Sequence, residues 1–258
     1  MSTFVLGARL SQGATCKVYD LRLKNTAVIL KTCKKEYLGQ AIFKFVNLRH
    51  DNIEHIAKII ILPKSPMAYI ISERLDMTLF DFKVGKKSSS NKIDSKFIHD
   101  ECTNGLIFIH GHLKLIHADV KNNNIMLSTS GHLKLIDFSN AFEPDRGRVD
   151  GFNQTILTMC HVDLLRNIYD VGFKLDMWAL AMTLYWFEYG EHFLVRIIRN
   201  NYPMQTMEAF EVYIREAASR RHLLASLIDR ELSAIAAAER SPFSELFIKC
   251  LVSKKAGS

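Results

Sequence analysis

Between His117 and Ser139 the chain carries a run that few folds can accommodate without using it chemically: His117-Ala118-Asp119-Val120-Lys121-Asn122-Asn123-Asn124, then Ile125-Met126-Leu127, then Leu133-Lys134-Leu135-Ile136-Asp137-Phe138-Ser139. The two apolar runs have the length and composition of short strands. Two such strands flanking a turn bring Asp119, Asn124 and Asp137 to one place. Phosphoryl transfer from a nucleotide requires a set of this kind: a carboxylate to orient the attacking hydroxyl, a cation to offset developing charge, and oxygen ligands for Mg²⁺. Asp119, Lys121 and the pair Asn124 with Asp137 fill those places.

The rest of the chain divides around this run. Thr3 to Leu10, Lys17 to Leu23, Ala27 to Thr32, Ile56 to Leu62 and Ala68 to Ser72 are short segments rich in β-branched residues and read as five strands. One helical stripe, Ala41, Ile42, Phe45, Val46 and Leu48, interrupts them. Lys83 to Lys92 is the clearest loop, with Gly85 and three consecutive serines. Beyond it, Ser95 to His110 and Leu175 to Tyr189 have helical periodicity, and Met204 to Ala238 is rich in good helix formers. No internal repeat is present. The pattern predicts two lobes, one strand-rich and one mainly helical, joined near Glu73 to Asp76, with a ligand-sized cleft between them.

At 258 residues, with 48% hydrophobic and 24% charged residues, the chain has enough apolar side chains for a substantial core and is neither disordered nor fibrous. The 34 Lys and Arg against 27 Asp and Glu leave a formal charge of +7, which favours anionic ligands or acidic substrates. The five cysteines, Cys16, Cys33, Cys102, Cys160 and Cys250, are scattered and odd in number, which argues against a disulfide framework and for a reducing compartment. The first residues lack the basic and apolar regions of a signal peptide, and no stretch is long and apolar enough to span a bilayer. A soluble intracellular protein is expected.

With those residues in hand, the chain resembles the eukaryotic-type serine/threonine protein kinases. Their H-R-D-x-K-x-x-N loop is matched by His117, Asp119, Lys121 and Asn124, and their D-F-G by Asp137-Phe138-Ser139. Val28-Ile29-Leu30-Lys31 looks like the strand whose lysine holds the α and β phosphates, and Leu10 to Tyr19 looks like a worn glycine-rich loop around Gly13. Gly105 to His110 is similar to the end of the helix preceding the catalytic loop. Asp176-Met177-Trp178 resembles the helix start whose aspartate braces that loop, and Gly190-Glu191-His192-Phe193 the turn after it. Taken singly, a Gly13 is more often a turn residue than a phosphate cradle, a Lys31 usually a solvated strand lysine and an Asp176 usually a helix-start carboxylate.

The resemblance implies an α+β, bilobal kinase-like fold over residues 1–258, with a small β-rich N-lobe carrying one helix (about 1–74) and a larger helical C-lobe (about 75–258). It implies ATP and Mg²⁺ as cofactors and a protein substrate. Asp119, Lys121 and Lys31 would be catalytic, Asn124 and Asp137 would hold the metal, and Leu10, Gly13, Val18 and the backbone of Glu73 and Leu75 would contact the nucleotide. Lys121 is the mark of serine/threonine specificity, and His117 is expected to be structural. The compactness and worn motifs are similar to those of small kinases encoded by large DNA viruses, for which the host cytoplasm or nucleus would be the working compartment.

The departures from the family pattern are as specific. If Leu48 to Ile53 aligns with the usual L-x-H-x-N-I, Ala41 stands where the family has the helix glutamate that pairs with the strand lysine, leaving Glu36 or Gln40 as substitutes. Ser11 and Cys16 replace the outer glycines of the loop, Ile29 narrows the adenine pocket, and Ser72 at the gatekeeper position opens its rear. Ala118 replaces the arginine that binds a phosphorylated activation loop, Thr155 or Thr158 is the candidate support for Asp119, and Asp163 stands where the family has a structural glutamate. Two other readings therefore stand beside an active kinase: a pseudokinase that binds nucleotide and docks a partner, and a kinase-like phosphotransferase for small molecules. Assigning Lys31 and Lys121 to phosphates weakens the case for nucleic acid. Arg146, Arg148, Arg220 and Arg221 favour an acidic substrate or partner. The oligomeric state is left open.

Overall fold

The computed structural model describes residues 4–12, 16–23, 26–87, 92–144, 172–201, 206, 218–237 and 241–252. Five strands form an antiparallel sheet: β1 (Phe4–Gln12), β2 (Cys16–Leu23), β3 (Thr26–Lys34), β4 (Ile56–Ile61) and β5 (Met67–Glu73), in the order β1-β2-β3-β5-β4. Each lies within two residues of the ends expected from the β-branched runs. Alternation sets the faces. In β5, Ala68, Ile70 and Ser72 are buried and the residues between them partly exposed, the period of a strand with one covered face. β1 is exposed along its whole length at the sheet edge, where register shifts on both sides of Arg9 interrupt its pairing; such irregularity discourages edge-to-edge association.

The helix expected from the stripe at Ala41 to Leu48 is much shorter than that stripe. The chain forms a six-residue 3-10 helix, Gln40–Phe45, after a three-residue one at Lys35–Tyr37. Its two buried residues, Ile42 and Phe45, are three apart, which suits a helix of three residues per turn. Val46 leaves in an extended conformation and Asn47 takes φ +62°, so Val46 and Leu48 never join the helical face. On the entering side, Gly39 passes so close to Ser139 that a Cβ would sit 2.4 Å from the Ser139 carbonyl oxygen. Only a residue without a side chain fits there.

After β5 the chain enters a second, three-stranded sheet, β6 (Met77–Thr78), β7 (Ile125–Leu127) and β8 (Leu133–Leu135), with β7 in the middle. A short helix, α1 (Leu79–Lys83), opens at Thr78, whose hydroxyl accepts the Asp81 N–H at 2.9 Å. It adds a helical turn just before the expected loop. α2 (Ser95–Phe108) is capped by Asp94 through the Phe97 N–H. It widens into a π turn at Ile109–Leu113, and Lys114 follows in the left-handed conformation.

The helical part is built around α3 (Lys174–Tyr189), in which every residue from Leu175 to Phe187 is buried. A helix apolar on all sides belongs in the middle of a domain. It ends at Gly190, φ +73°, whose N–H bonds to the Trp186 carbonyl at 2.8 Å. α4 (Phe193–Asn201), α5 (Ala218–Ala237) and α6 (Pro242–Val252) complete the described helices. Phe243 and Phe247 of α6 pack their rings 6.3 and 5.7 Å from that of Tyr185 on α3. The architecture is the α+β arrangement of a small sheet and a helical remainder that the sequence predicts. Among the described residues no cysteines are joined in a disulfide, and no helix is long and apolar enough to cross a membrane.

Candidate active site

The run from His117 to Asn124 is held from below by α3. Asp176, fully buried in the first turn of that helix, accepts the backbone N–H groups of His117 and Ala118, each at 2.8 Å, and faces His110 Nε2 at 2.8 Å. Burial alone raises a carboxyl pKa. Here the contacts with His110 and His117 outweigh it and keep Asp176 below its ordinary value. Ala118 takes φ +62°, a conformation that costs a non-glycine residue energy and persists only where its surroundings fix it. The Asp176 carboxylate supplies that fixing. His117 is structural, as expected: Nδ1 accepts the Asp119 N–H at 3.3 Å and Nε2 donates to the Ile136 carbonyl at 3.1 Å.

Asp119, only 4% exposed, stands at the centre of a small network. Lys121 Nζ donates to both its carboxylate oxygens, at 2.8 and 3.0 Å, and Asn124 Nδ2 donates to Oδ2 at 2.7 Å and to the Asp119 carbonyl at 2.9 Å. A 3-10 turn, Asn122–Asn124, folds Asn124 back onto Asp119, and β7 begins immediately after it. Asp119, Lys121 and Asn124 are thus brought together by local hydrogen bonding as well as by the fold.

Asp137 follows β8 in the left-handed conformation, φ +63°. Its Oδ1 accepts from the Ser139 hydroxyl at 2.7 Å and from the Ser139 N–H at 3.4 Å. Serine in place of the family's glycine therefore closes a turn around the carboxylate. Asp137 is held below the ordinary carboxyl pKa; burial opposes the shift, and the Lys31 ammonium with the Ser139 hydrogen bonds prevails. Phe138 is completely buried and stacks on Phe45.

Lys31 lies on β3, opposite Val18 of β2 and Ile70 of β5. Its ammonium meets both oxygens of Glu54, at 2.7 Å from Oε1 and 2.8 Å from Oε2, with the Glu54 side chain only 2% exposed. Neither substitute weighed from the sequence serves: Glu36 pairs with Lys34 at 3.2 Å on the surface, and Gln40 opens the 3-10 helix exposed. Burial disfavours the Lys31 ammonium, but Glu54 and Asp137 outweigh it and raise its pKa. Glu54 was missed because it bears on Lys31 from 23 residues away. The available signal was an acid set between Ile53 and Ile56 in a run otherwise suited to burial.

A cavity of about 1010 Å³ is lined by Val18, Lys31, Glu54, Asp119, Lys121, Asn124 and Asp137, and its wall also includes Thr78, Asp81 and Lys86. Leu10, Glu73 and Leu75 do not line it. Leu10 is 47% exposed on β1. The Glu73 carboxylate is engaged by the His55 N–H at 2.7 Å and by Lys134 at 2.9 Å, and its own N–H bonds to the His55 carbonyl. Gly13, Arg146, Arg148, Thr155, Thr158 and Asp163 lie outside the described residues, as does the side chain of Arg221.

The donor set suits a hard divalent cation. Asn124 commits its nitrogen to Asp119 and Asp137 commits Oδ1 to Ser139, so among the described residues an amide oxygen and a second carboxylate oxygen remain for a metal. Among the described residues no group of three or more His, Cys, Asp or Glu side chains converges to form a self-contained metal cage. Mg²⁺ characteristically uses one or two protein oxygens together with substrate phosphates.

The family model described as "Protein kinase domain" matches residues 4–255. The serine/threonine-protein kinase GRIK2 of Arabidopsis thaliana is 29% identical over 160 residues, covering 60% of this chain and 39% of that protein. The CTD kinase subunit alpha of Saccharomyces cerevisiae is 25% identical over 194 residues, covering 71% of this chain and 36% of its own. A crystal structure of the yeast RNA Pol II CTD kinase CTDK-1 complex aligns with TM-score 0.55 and 22% identity, over 74% of this chain and 66% of that one, and so shares the fold. The chain spans less than half the length of these curated relatives. These relatives come from a plant and a yeast and lend no support to a viral source.

Proposed function

Because the chain belongs to the protein kinase family, its domain matching over residues 4–255, we propose that it transfers the γ-phosphoryl group of ATP to serine or threonine hydroxyls of proteins. The observation that carries this reading is the convergence of Asp119, Lys121, Asn124, Asp137 and Lys31 on one cavity. Lys121 as the mark of serine/threonine specificity agrees with the similarity to GRIK2, a serine/threonine kinase by its name.

In this mechanism Asp119 accepts the hydrogen bond of the attacking hydroxyl and takes its proton late in transfer. Lys121, already on both oxygens of Asp119, is within reach of the same reacting centre and offsets charge on the transferring group. Asn124 and Asp137 would hold Mg²⁺, which neutralises phosphate charge when bound. Lys31 would contact the inner phosphates, while the Glu73 N–H, already bonded to the His55 carbonyl, is not free for the adenine edge. The formal charge of +7 makes acidic peptides the first substrate class to test, and the site of action is read as intracellular.

The second reading, a pseudokinase that binds nucleotide and docks a partner, is favoured by one observation: Ser11 and Cys16 line the cavity where the family has flexible glycines. The deciding experiment incubates wild type and Asp119→Asn with MgATP and mixed acidic and basic protein substrates. Transfer that requires Asp119 is expected. Nucleotide-induced thermal stabilisation with no transfer to any substrate, or to the protein itself, would leave the pseudokinase reading. In either case stabilisation by nucleotide should require Mg²⁺ and be lost in Asp137→Ala.

A further inference from the structure

The ion pair of Lys31 draws its carboxylate from an unexpected part of the chain. Glu54 lies in the connection that leads into β4, and that connection is stitched to β8. The Leu135 N–H donates to the Asn52 carbonyl at 2.9 Å, and the Glu54 N–H donates to the Leu135 carbonyl at 2.9 Å. Asn52 Nδ2 donates to the Leu133 carbonyl at 3.0 Å, and Lys134 Nζ reaches the carbonyls of His50 and Ile53. α2 closes the unit from behind, where Gly105 approaches so closely that a Cβ would lie 2.9 Å from the Asn52 carbonyl oxygen. Asp137 stands two residues beyond Leu135, at the other end of this stitching.

A buried carboxylate and a largely covered ammonium are costly to desolvate, and such a pair is weak evidence for stability in itself. Its geometry, however, has a positional consequence. The carboxylate that orients Lys31 is fixed to the strand that delivers Asp137, and the 3-10 segment at residues 40–45 contributes no charge to it.

We propose that Glu54 is the positioning residue for Lys31, orienting its ammonium toward the site with a carboxylate that residues 35–45 do not supply. The proposal deepens the kinase reading and rests on it for the role of Lys31 toward phosphate. The place of the glutamate has a functional corollary: displacement of residues 35–45 leaves the ion pair made, so a partner that moved that segment would not switch Lys31 off through the loss of its carboxylate.

The test follows Lys31 itself. Acylation of Lys31 by an amine-reactive ester, quantified by mass spectrometry across pH in the folded protein, reads its titration without needing catalysis. Glu54→Gln is expected to move the Lys31 profile at least one pH unit lower and to raise the KM for ATP about tenfold with a smaller change in kcat. Glu54→Asp, which keeps the charge on a shorter stem, should retain most of the wild-type titration and raise that KM at least threefold. Glu36→Gln and Gln40→Ala should leave the profile unchanged.

A wild-type titration profile in Glu54→Gln, even with lowered thermal stability, would overturn the proposal, as would a lowered profile in Glu36→Gln or Gln40→Ala. Should Glu54→Gln fail to fold, an unchanged KM for ATP in Glu54→Asp would overturn it. Absence of phosphoryl transfer in wild type counts against the kinase reading alone, because the titration arm reports on the ion pair regardless.

Discussion

The rings of Phe45 and Phe138 lie face to face, their centroids 3.8 Å apart and their planes 8° from parallel. Phe45 ends the 3-10 helix of the sheet-bearing part and Phe138 follows Asp137, and both rings are completely buried. His117 tilts against Phe138, its ring centroid 5.1 Å away. The stack therefore ties the segment after β3 to the turn that aims Asp137. Phe45→Ala removes one ring from a filled core and should cost roughly 3–5 kcal/mol of stability. Chemical denaturation would measure that loss, and the Mg²⁺-dependent nucleotide shift should weaken with it as Phe138 loses its support.

Gly39 and Ser139 are in backbone contact, and the 2.4 Å that would separate an added Cβ from the Ser139 carbonyl leaves nothing flexible to yield. Gly39→Ala should destabilise by about 1–3 kcal/mol through overpacking. Because the contact falls on the turn that closes around Asp137, the KM for ATP should rise as well. An alanine variant with parental melting temperature and KM would show that the two segments separate in solution.

Asp176 holds its proton less readily than an ordinary carboxyl group. A carboxylate depressed in the folded state contributes stability that is fully present above its ordinary pKa, near 3.8, and is lost as pH falls toward the folded value. Asp176→Asn removes the charge and sets an amide NH2 against one of the two N–H groups of His117 and Ala118, leaving an acceptor for the other only, and should cost roughly 3 kcal/mol at neutral pH. Melting curves between pH 7 and 3 should show the gap between parent and variant narrowing below about pH 4. A constant gap across that range would mean that the charge is not what holds the loop.

Ser72 is fully buried near the end of β5, and among the described residues its hydroxyl has no hydrogen-bond partner. Leaving a buried hydroxyl unsatisfied costs about 1–3 kcal/mol. Ser72→Ala should therefore raise the melting temperature, by the equivalent of about 1 kcal/mol after allowing for the lost volume. A fall in melting temperature would reveal a bond to the hydroxyl in solution.

Much of the architecture was readable from local pattern. The five strands follow from β-branched runs with alternating faces, and α3 from a long apolar stretch that Gly190 terminates. Asp119, Lys121 and Asn124 were readable because their contacts span at most five residues. Glu54 was not: its role depends on a contact across the sheet, and spacing along the chain carries no record of it. The 3-10 helix at Gln40–Phe45 was misjudged for a related reason. The stripe from Ala41 to Leu48 fits a helical period, yet Asn47 turns the chain before the stripe is complete. The cavity likewise takes in Val18 and Lys31 but omits Leu10, Glu73 and Leu75, a division set by how the sheet and the connection after β5 face one another.

The full burial of α3 also orders events during synthesis. Residues 174–189 leave the ribosome well before residues 242–252, whose Phe243 and Phe247 cover Tyr185 on one flank. Until then a nascent chain carries Tyr185 with part of its covering still unmade. α3 cannot settle one turn at a time as translation proceeds. Its flank at Tyr185 is completed only once the far end of the domain has been made, and until then that aromatic surface is open to the non-native contacts that slow the folding of larger chains.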